Sequence, residues 1–277
     1  MKNIKVLGCQ MMVGEEKEKN LQKAEEMINR GVKTYQPDII ILPEMFNTPY
    51  DNSYFPEFSE VYPGETTSRI QSMAKKYGVI IIAGSIPEQG EEDQKIYNTT
   101  YVFGQQGELL GKHRKIHLFD IDIPGKITFK ESDVLSPGNK ITVLDTKFGK
   151  IGIAVCYDVR FPEIFQIMEK EGAEFVVVPG AFNMTTGPAH WELLMRSRAL
   201  DNQLYVAAVS PARNLRASYH AYGHSMIVDP WGSVLEELDE EEDFIYRELD
   251  FDYLKQVRRG LPTRKNRLKE LYETVKK

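Results

Sequence analysis

Short, nearly continuous runs rich in Val and Ile recur along the chain at 4–8, 38–42, 79–83, 152–155, 175–178 and 204–209. Runs that lack apolar/polar alternation fit strands buried on both faces, as in a parallel sheet covered by helices. Amphipathic stretches separate them. Within 15–35, Leu21, Ala24, Met27, Ile28 and Val32 fall near helical spacing, with Gly31 late in the run. Further helices are predicted at 68–77, stopped by Gly78, at 161–171, with Pro162 in the first turn and Gly172 just past the end, and at 190–202. Two hairpins complete the pattern: 97–103 with 108–113 around Gly104-Gln105-Gln106-Gly107, and 225–228 with 233–238 around Asp229-Pro230-Trp231-Gly232. Each half therefore reads strand, helix, strand, helix, strand, hairpin. That order implies an α/β layered fold of two stacked sheets with helices on the outer faces. No Gly-, Ser- or Pro-rich linker divides the halves, so one domain over 1–277 is expected.

The tail changes character. An acidic run at 236–243 precedes a basic set, Arg258, Arg259, Arg264, Lys265 and Arg267. One reading is a solvated loop followed by a surface segment; the other is a C-terminal arm, about 250–277, that crosses to a second subunit. Charge alone does not choose between them.

Composition narrows the function classes. With 41 acidic and 35 basic residues the net charge is −6, and no basic excess points to nucleic acid or an anionic membrane as a partner. No apolar window reaches ~18 residues, so no membrane span is expected. The first residues, Met1 to Glu16, turn acidic too soon for a secretory signal, which points to the cytoplasm. Two cysteines there should stay reduced rather than form a disulfide framework.

Several strand ends carry residues able to do chemistry. Cys156 closes the apolar run Gly152-Ile153-Ala154-Val155, and Tyr157-Asp158-Val159-Arg160-Phe161-Pro162 leads at once into a helix. A nucleophile on such a turn is presented beside backbone N–H groups able to hold an oxyanion. The plainer reading is a buried structural cysteine, which suits Cys9 inside the first strand. Glu44 closes Asp38-Ile39-Ile40-Ile41-Leu42-Pro43, where poor solvation would raise its pKa toward a general-base range. Lys115 lies in Lys112-His113-Arg114-Lys115-Ile116-His117, a run that also reads as a solvated basic face. His113 and His117 offer a rival scheme, pairing with Cys156 as in a papain-like hydrolase, or binding metal, although no spaced set of partner ligands accompanies them. Glu131 reads as an ordinary loop glutamate ahead of Ser136-Pro137-Gly138. Gly107-Glu108-Leu109-Leu110-Gly111-Lys112-His113 has the wrong spacing for a P-loop, and no GxGxxG follows a strand, so neither a nucleotide nor a metal nor any other cofactor is called for.

Taken together, Leu42-Pro43-Glu44, Arg114-Lys115-Ile116-His117-Leu118 and Cys156-Tyr157-Asp158 resemble the three signatures of the nitrilase superfamily, in order and at matching strand ends. The resemblance runs over nearly the whole chain. It implies a four-layer αββα sandwich carrying a Glu44–Lys115–Cys156 triad, with Glu131 orienting Lys115 and the backbone N–H of Tyr157 in the oxyanion site. Within the superfamily, His117–Asp122, Pro124–Phe129 and Pro179–Trp191 look most like the omega-amidases, which hydrolyse the side-chain amide of 2-oxo acids such as 2-oxoglutaramate and 2-oxosuccinamate. That likeness implies Arg160 as the clamp for a substrate carboxylate, with Tyr50, Phe182 and Thr186 as pocket wall, and a lysine beside the sulfur that lowers the cysteine pKa. It also implies a small-molecule amide substrate and a homodimer, or a higher homo-oligomer, associating through the helix after the nucleophile strand. Deaminated-glutathione amidases, carbamoylases, true nitrilases and a catalytically silent binding protein remain alternatives on the same fold.

Overall fold

The apolar runs become the centres of two stacked sheets. In the computed structural model, which describes residues 3–277, the first half of the chain supplies β1 (Ile4–Gln10), α1 (Lys17–Tyr35), β2 (Ile39–Ile41), the single turn α2 (Phe55–Phe58), α3 (Glu65–Tyr77), β3 (Ile80–Ile82), β4 (Ile86–Gln89), β5 (Ile96–Phe103) and β6 (Leu109–Arg114). A separate hairpin, β7 (Asp120–Ile123) with β8 (Ile127–Lys130), follows. The second half supplies β9 (Thr142–Thr146), β10 (Gly149–Ile153), α4 (Pro162–Lys170), β11 (Phe175–Pro179), α5 (Gly187–Asn202), β12 (Tyr205–Val209), β13 (Met226–Val228), β14 (Val234–Glu237), β15 (Asp243–Leu249) and α6 (Phe251–Gly260).

The two sheets repeat one plan. β1, β2 and β3 are parallel, with Val6 beside Ile39 and Ile39 beside Ile80. β10, β11 and β12 are likewise parallel, with Ile151 beside Phe175 and Phe175 beside Tyr205. Each trio is flanked by antiparallel strands: β15 and the β5–β6 hairpin in the first sheet, β9 and the β13–β14 hairpin in the second. Successive strand residues face opposite ways, so Ile39-Ile40-Ile41 divides between two cores. Ile39 and Ile41 join the core shared with Ile151, Ile153 and Phe175 of the other sheet. Ile40 packs with Leu21, Ile28 and Ile70 of α1 and α3. The outer face of the second sheet, through Val176 and Val178, meets Phe165, Trp191 and Met195 of α4 and α5. The stacking is helix, sheet, sheet, helix, as the resemblance implied. Truncating one of these isoleucines to alanine would cost about 2–5 kcal/mol.

Five pieces differ from the sequence expectation. The chain just after the acidic run, read as a surface segment, is strand β15, paired with β1 from Ile4 opposite Leu249 to Gln10 opposite Asp243. Several of its residues are exposed, so it lacks the continuous apolar run of a fully buried strand. β4 begins Ile-Pro and lies on a sheet edge, where proline costs no ladder bond. β9 is only partly buried, and β7–β8 alternates partly buried with exposed residues, so neither has an apolar run to announce it. The range expected as an arm, about 250–277, itself divides. It begins with α6, capped by the Asp250 carboxylate, which accepts from the N–H groups of Asp252 and Tyr253. Phe251 and Leu254 of α6 enter the core between the sheets. Beyond α6 the chain lies along α4, where Arg264 and Arg267 pair with the buried Glu169 and Lys276 pairs with Glu171. Among the described residues, no helix is long and apolar enough to cross a membrane.

Candidate active site

The chain leaving β2 runs through Leu42 and Pro43 to Glu44 beneath the turn at Gly84. A Cβ at Gly84, which sits at φ +43°, would lie 1.9 Å from the Pro43 carbonyl oxygen, so only glycine permits this approach. Glu44 is fully buried. Its Oε1 accepts from Asn98 Nδ2 at 2.8 Å and Lys115 Nζ at 3.1 Å, and its Oε2 accepts from the Ala181 N–H at 2.7 Å.

Strand alternation explains how one cation of a basic run comes to be interior. Lys112 and Arg114 turn toward the buried Glu88 on one face, while His113 and Lys115 point to the other and are buried. The Lys115 backbone is held at both ends, its N–H donating to Asn98 O and its carbonyl accepting from the Gly138 N–H, each at 2.8 Å. Its ammonium lies 2.8 Å from Glu131 Oε2 and donates to Glu131 Oε1 at 3.0 Å and to the Tyr50 hydroxyl at 3.3 Å. Glu131, far from being a loop glutamate facing water, is fully buried on a short 3-10 turn. It accepts from the Tyr50 hydroxyl at 2.7 Å and from the Phe119 N–H at 2.6 Å.

Cys156 stands just past β10 with φ +47°, a left-handed conformation that costs a non-glycine residue about 1–3 kcal/mol. Its thiol, almost fully buried, lies close enough to Glu44 for the two groups to shift each other's ionisation. Asp158 holds the turn. It accepts from the Val155 N–H at 3.1 Å and the His117 N–H at 2.9 Å, and it meets His113 Nε2 at 3.1 Å and His117 Nδ1 at 2.8 Å. The second His113 nitrogen is engaged by Thr142 Oγ1 at 3.0 Å, and the His117 ring stacks on Phe161. The histidines that a papain-like scheme requires are therefore committed to Asp158. Among the described residues no group of three or more His, Cys, Asp or Glu side chains is disposed to hold a metal ion.

Burial dominates the ionisation of the cluster. It pushes the Glu44 carboxyl up, with the Glu131 charge assisting and Lys115 opposing. The Cys156 thiol is raised well above its usual range by burial and by Glu44. Lys115 does pull that thiol down, as expected for a neighbouring cation, but burial and the two carboxylates outweigh it. The Lys115 ammonium itself loses stability by burial but gains more from Glu131 and Glu44, and stays charged. Cys9, away from this cluster, is pushed up to about 12 by burial.

Around Cys156 a narrow cleft is lined by Phe119, Tyr157, Arg160, Phe182, Thr186 and Tyr219, together with Ala181. The Arg160 guanidinium sits 5.4 Å from the Tyr157 ring centroid and 5.0 Å from that of Phe182. One of its terminal nitrogens lies 3.2 Å from His190 Nδ1, while its Nε is buried with no hydrogen-bond partner. The structure thus gathers Glu44, Lys115, Glu131, Cys156, Tyr157, Arg160, Phe182 and Thr186 around one region. Tyr50 stands apart from the cleft: it backs Glu131 and lies 4.6 Å from Tyr219, ring to ring. Tyr219, whose hydroxyl donates to Ala181 O at 2.5 Å, had no sequence signal, because it lies in a polar loop without periodicity.

The site thus sets a buried thiol and a buried glutamate beside a lysine held between two carboxylates, on an αββα frame. The chain belongs to the carbon–nitrogen hydrolase family, whose model matches residues 5–259. It is 51% identical to the omega-amidase NIT2 of Xenopus tropicalis over 268 residues, 97% of this chain and 96% of that protein. It is 48% identical to the omega-amidase NIT2 of Homo sapiens over 272 residues, 98% of each. Among solved structures it matches Saccharomyces cerevisiae Nit3, a member of branch 10 of the nitrilase superfamily, with a TM-score of 0.90 and 43% identity over 97% of each chain.

Proposed function

We propose that the chain is an omega-amidase, releasing ammonia from the terminal amide of small dicarboxylate monoamides such as 2-oxoglutaramate, 2-oxosuccinamate and succinamate. The observation that carries this reading is Arg160, a guanidinium with a buried, unpartnered Nε in the same cleft as Cys156. An amide that also bears a carboxylate would satisfy it, and the planar fork suits a carboxylate better than a lysine would. The extended identity to omega-amidases supports the same substrate class.

In this mechanism Glu44 takes the thiol proton as Cys156 Sγ attacks the amide carbon. The oxyanion is held by the Lys115 ammonium and the Tyr157 N–H. Glu44 returns the proton to the departing nitrogen, ammonia leaves, and a thioester remains. Glu44 then takes a proton from water, whose oxygen bonds to the acyl carbon as the C–S bond breaks. Glu131 fixes Lys115, Tyr50 fixes Glu131, and Phe182 and Thr186 bound the substrate. The protein acts in the cytoplasm as a homodimer on this reading, which the exposed Leu268 and Leu271 on the segment packed along α4 support. A sedimentation mass equal to the single 31.8 kDa chain would refute the dimer.

The direct test is ammonia release from 2-oxoglutaramate and succinamate by wild type and Cys156→Ala, with glutamine, asparagine and a simple nitrile beside them. Fast release from the monoamides that vanishes in the variant is the expected result. Preference for the nitrile, or little release from any monoamide while Cys156 still alkylates, would send the substrate back to the wider family.

A further inference from the structure

The cleft is not the only cavity that reaches the cluster. A second one, of about 30 Å³, lies on the far side of Tyr219 and has Glu44 in its wall. Ala181 and Tyr219 line both spaces. Val13, Pro49, Asn214 and Ala217 line both this second cavity and an outer groove of about 450 Å³. A volume of roughly 10–15 Å³ suffices for one water molecule, provided two to four polar groups are at hand. Thr48, Tyr50, Asn214 and Tyr219 join Glu44 in lining it, so the space suits water and is too small for an amide substrate.

We infer that this second cavity delivers the water that hydrolyses the thioester. The inference rests on the amidase reading above and adds a route to it. Once the acyl group is on Cys156 with its carboxylate on Arg160, it fills the cleft from that side. Water must then reach Glu44 from elsewhere, and the Tyr219 side offers a polar passage to solvent. The water gives one proton to Glu44 as its oxygen joins the acyl carbon. The C–S bond breaks, the sulfur recovers that proton from Glu44, and the acid product loses the other to solvent.

Two substitutions narrow the passage at residues that line both spaces, outside the cluster: Val13→Phe, between β1 and α1, and Ala217→Leu, on the half-exposed loop before Tyr219. Rapid-quench mass spectrometry of the intact protein with succinamate reads the acyl mass on Cys156 as it forms and decays. Acylation should keep its wild-type rate while decay slows by about tenfold or more, on the scale of an impaired general-base step, and the thioester should accumulate. Ala217→Gly, which leaves the passage open, should behave as wild type. Wild-type decay in both narrowed variants, or equal slowing of both steps, overturns the route. A wild type that gains no acyl mass and releases no ammonia from succinamate overturns the amidase reading itself, and the route with it.

Discussion

Two buried clusters hang from the same end of β6, and they use similar parts in opposite proportions. Lys115 reaches into a pair of carboxylates, Glu44 and Glu131, beside a thiol. Two residues earlier, His113 joins His117 on a single carboxylate, Asp158. In the second cluster burial works against the Asp158 charge, yet bonds from His113, His117 and the Val155 N–H overcome it and hold the carboxyl far below its usual range. In the first, one ammonium serves two carboxylates and the sulfur, and Glu44 and Cys156 are both pushed up. A carboxylate rich in donors is a fixed charge that holds a turn. A carboxylate whose burial outweighs its donors, as at Glu44, keeps its affinity for a proton, which is what a general base needs.

If the short-handed cluster is the reactive one, its members should give the largest losses. Cys156→Ala should abolish ammonia release, and Lys115→Ala should lower turnover by ~10²–10³, with circular dichroism unchanged in both. The comparison breaks if Lys115→Ala turns over normally. Arg160→Lys should come next: it keeps the charge but loses the fork, so KM for a monoamide should rise about tenfold, the worth of one charge-assisted hydrogen bond, with kcat nearly unchanged. Full affinity in that variant would remove the carboxylate clamp.

Asp158→Asn tests the donor-rich cluster by stability. Removing one member of a buried charged network costs about 3–5 kcal/mol, read from urea unfolding at neutral pH. The sign of the pH effect follows from the lowered pKa. Asp158 stabilises the fold at pH above its unfolded value of about 3.9, and that contribution fades as pH falls through the lower folded value. The gap between wild type and Asp158→Asn should therefore be full at neutral pH and shrink well below pH 4. A gap that stays constant down to acid would mean that the Asp158 charge plays no part in holding the turn.

How much of this was legible in the sequence depends on how each piece is buried. Ile39-Ile40-Ile41 and Val176-Val177-Val178 are apolar on both faces, so the parallel strands announce themselves. Gly78, at φ +62°, and Gly172, at φ +97°, mark helix ends as expected. β15 and β7–β8 are half exposed and carry no such run, and α6 hid behind its charge although Asp250 is an ordinary N-cap. At the site, Glu44, Lys115 and Cys156 stood out because each ends a strand within a motif. Asp158 was quoted in its motif but gave no hint of its two histidines, 41 and 45 residues away in the chain. Tyr219 and the water-sized cavity it bounds arise only where distant loops meet, which no local pattern encodes.

The smallest effect should come from His117→Asn, and it is the one that separates the two clusters most cleanly. His117 gives Asp158 both its backbone N–H and its ring nitrogen, and only the second is lost on substitution. The asparagine amide can supply a replacement donor, while the contact with the Phe161 ring is reduced. The turn at Cys156 keeps the Val155 bond and His113. Turnover of a monoamide should therefore fall by less than about tenfold, with the pH profile unmoved, since no proton transfer passes through His117. A papain-like assignment would instead demand near-complete loss, on the scale of about 10²–10⁴ for a missing general base. A loss of that size, in a variant that still melts cooperatively, would move the chemistry from the carboxylate-rich cluster to the histidine-rich one.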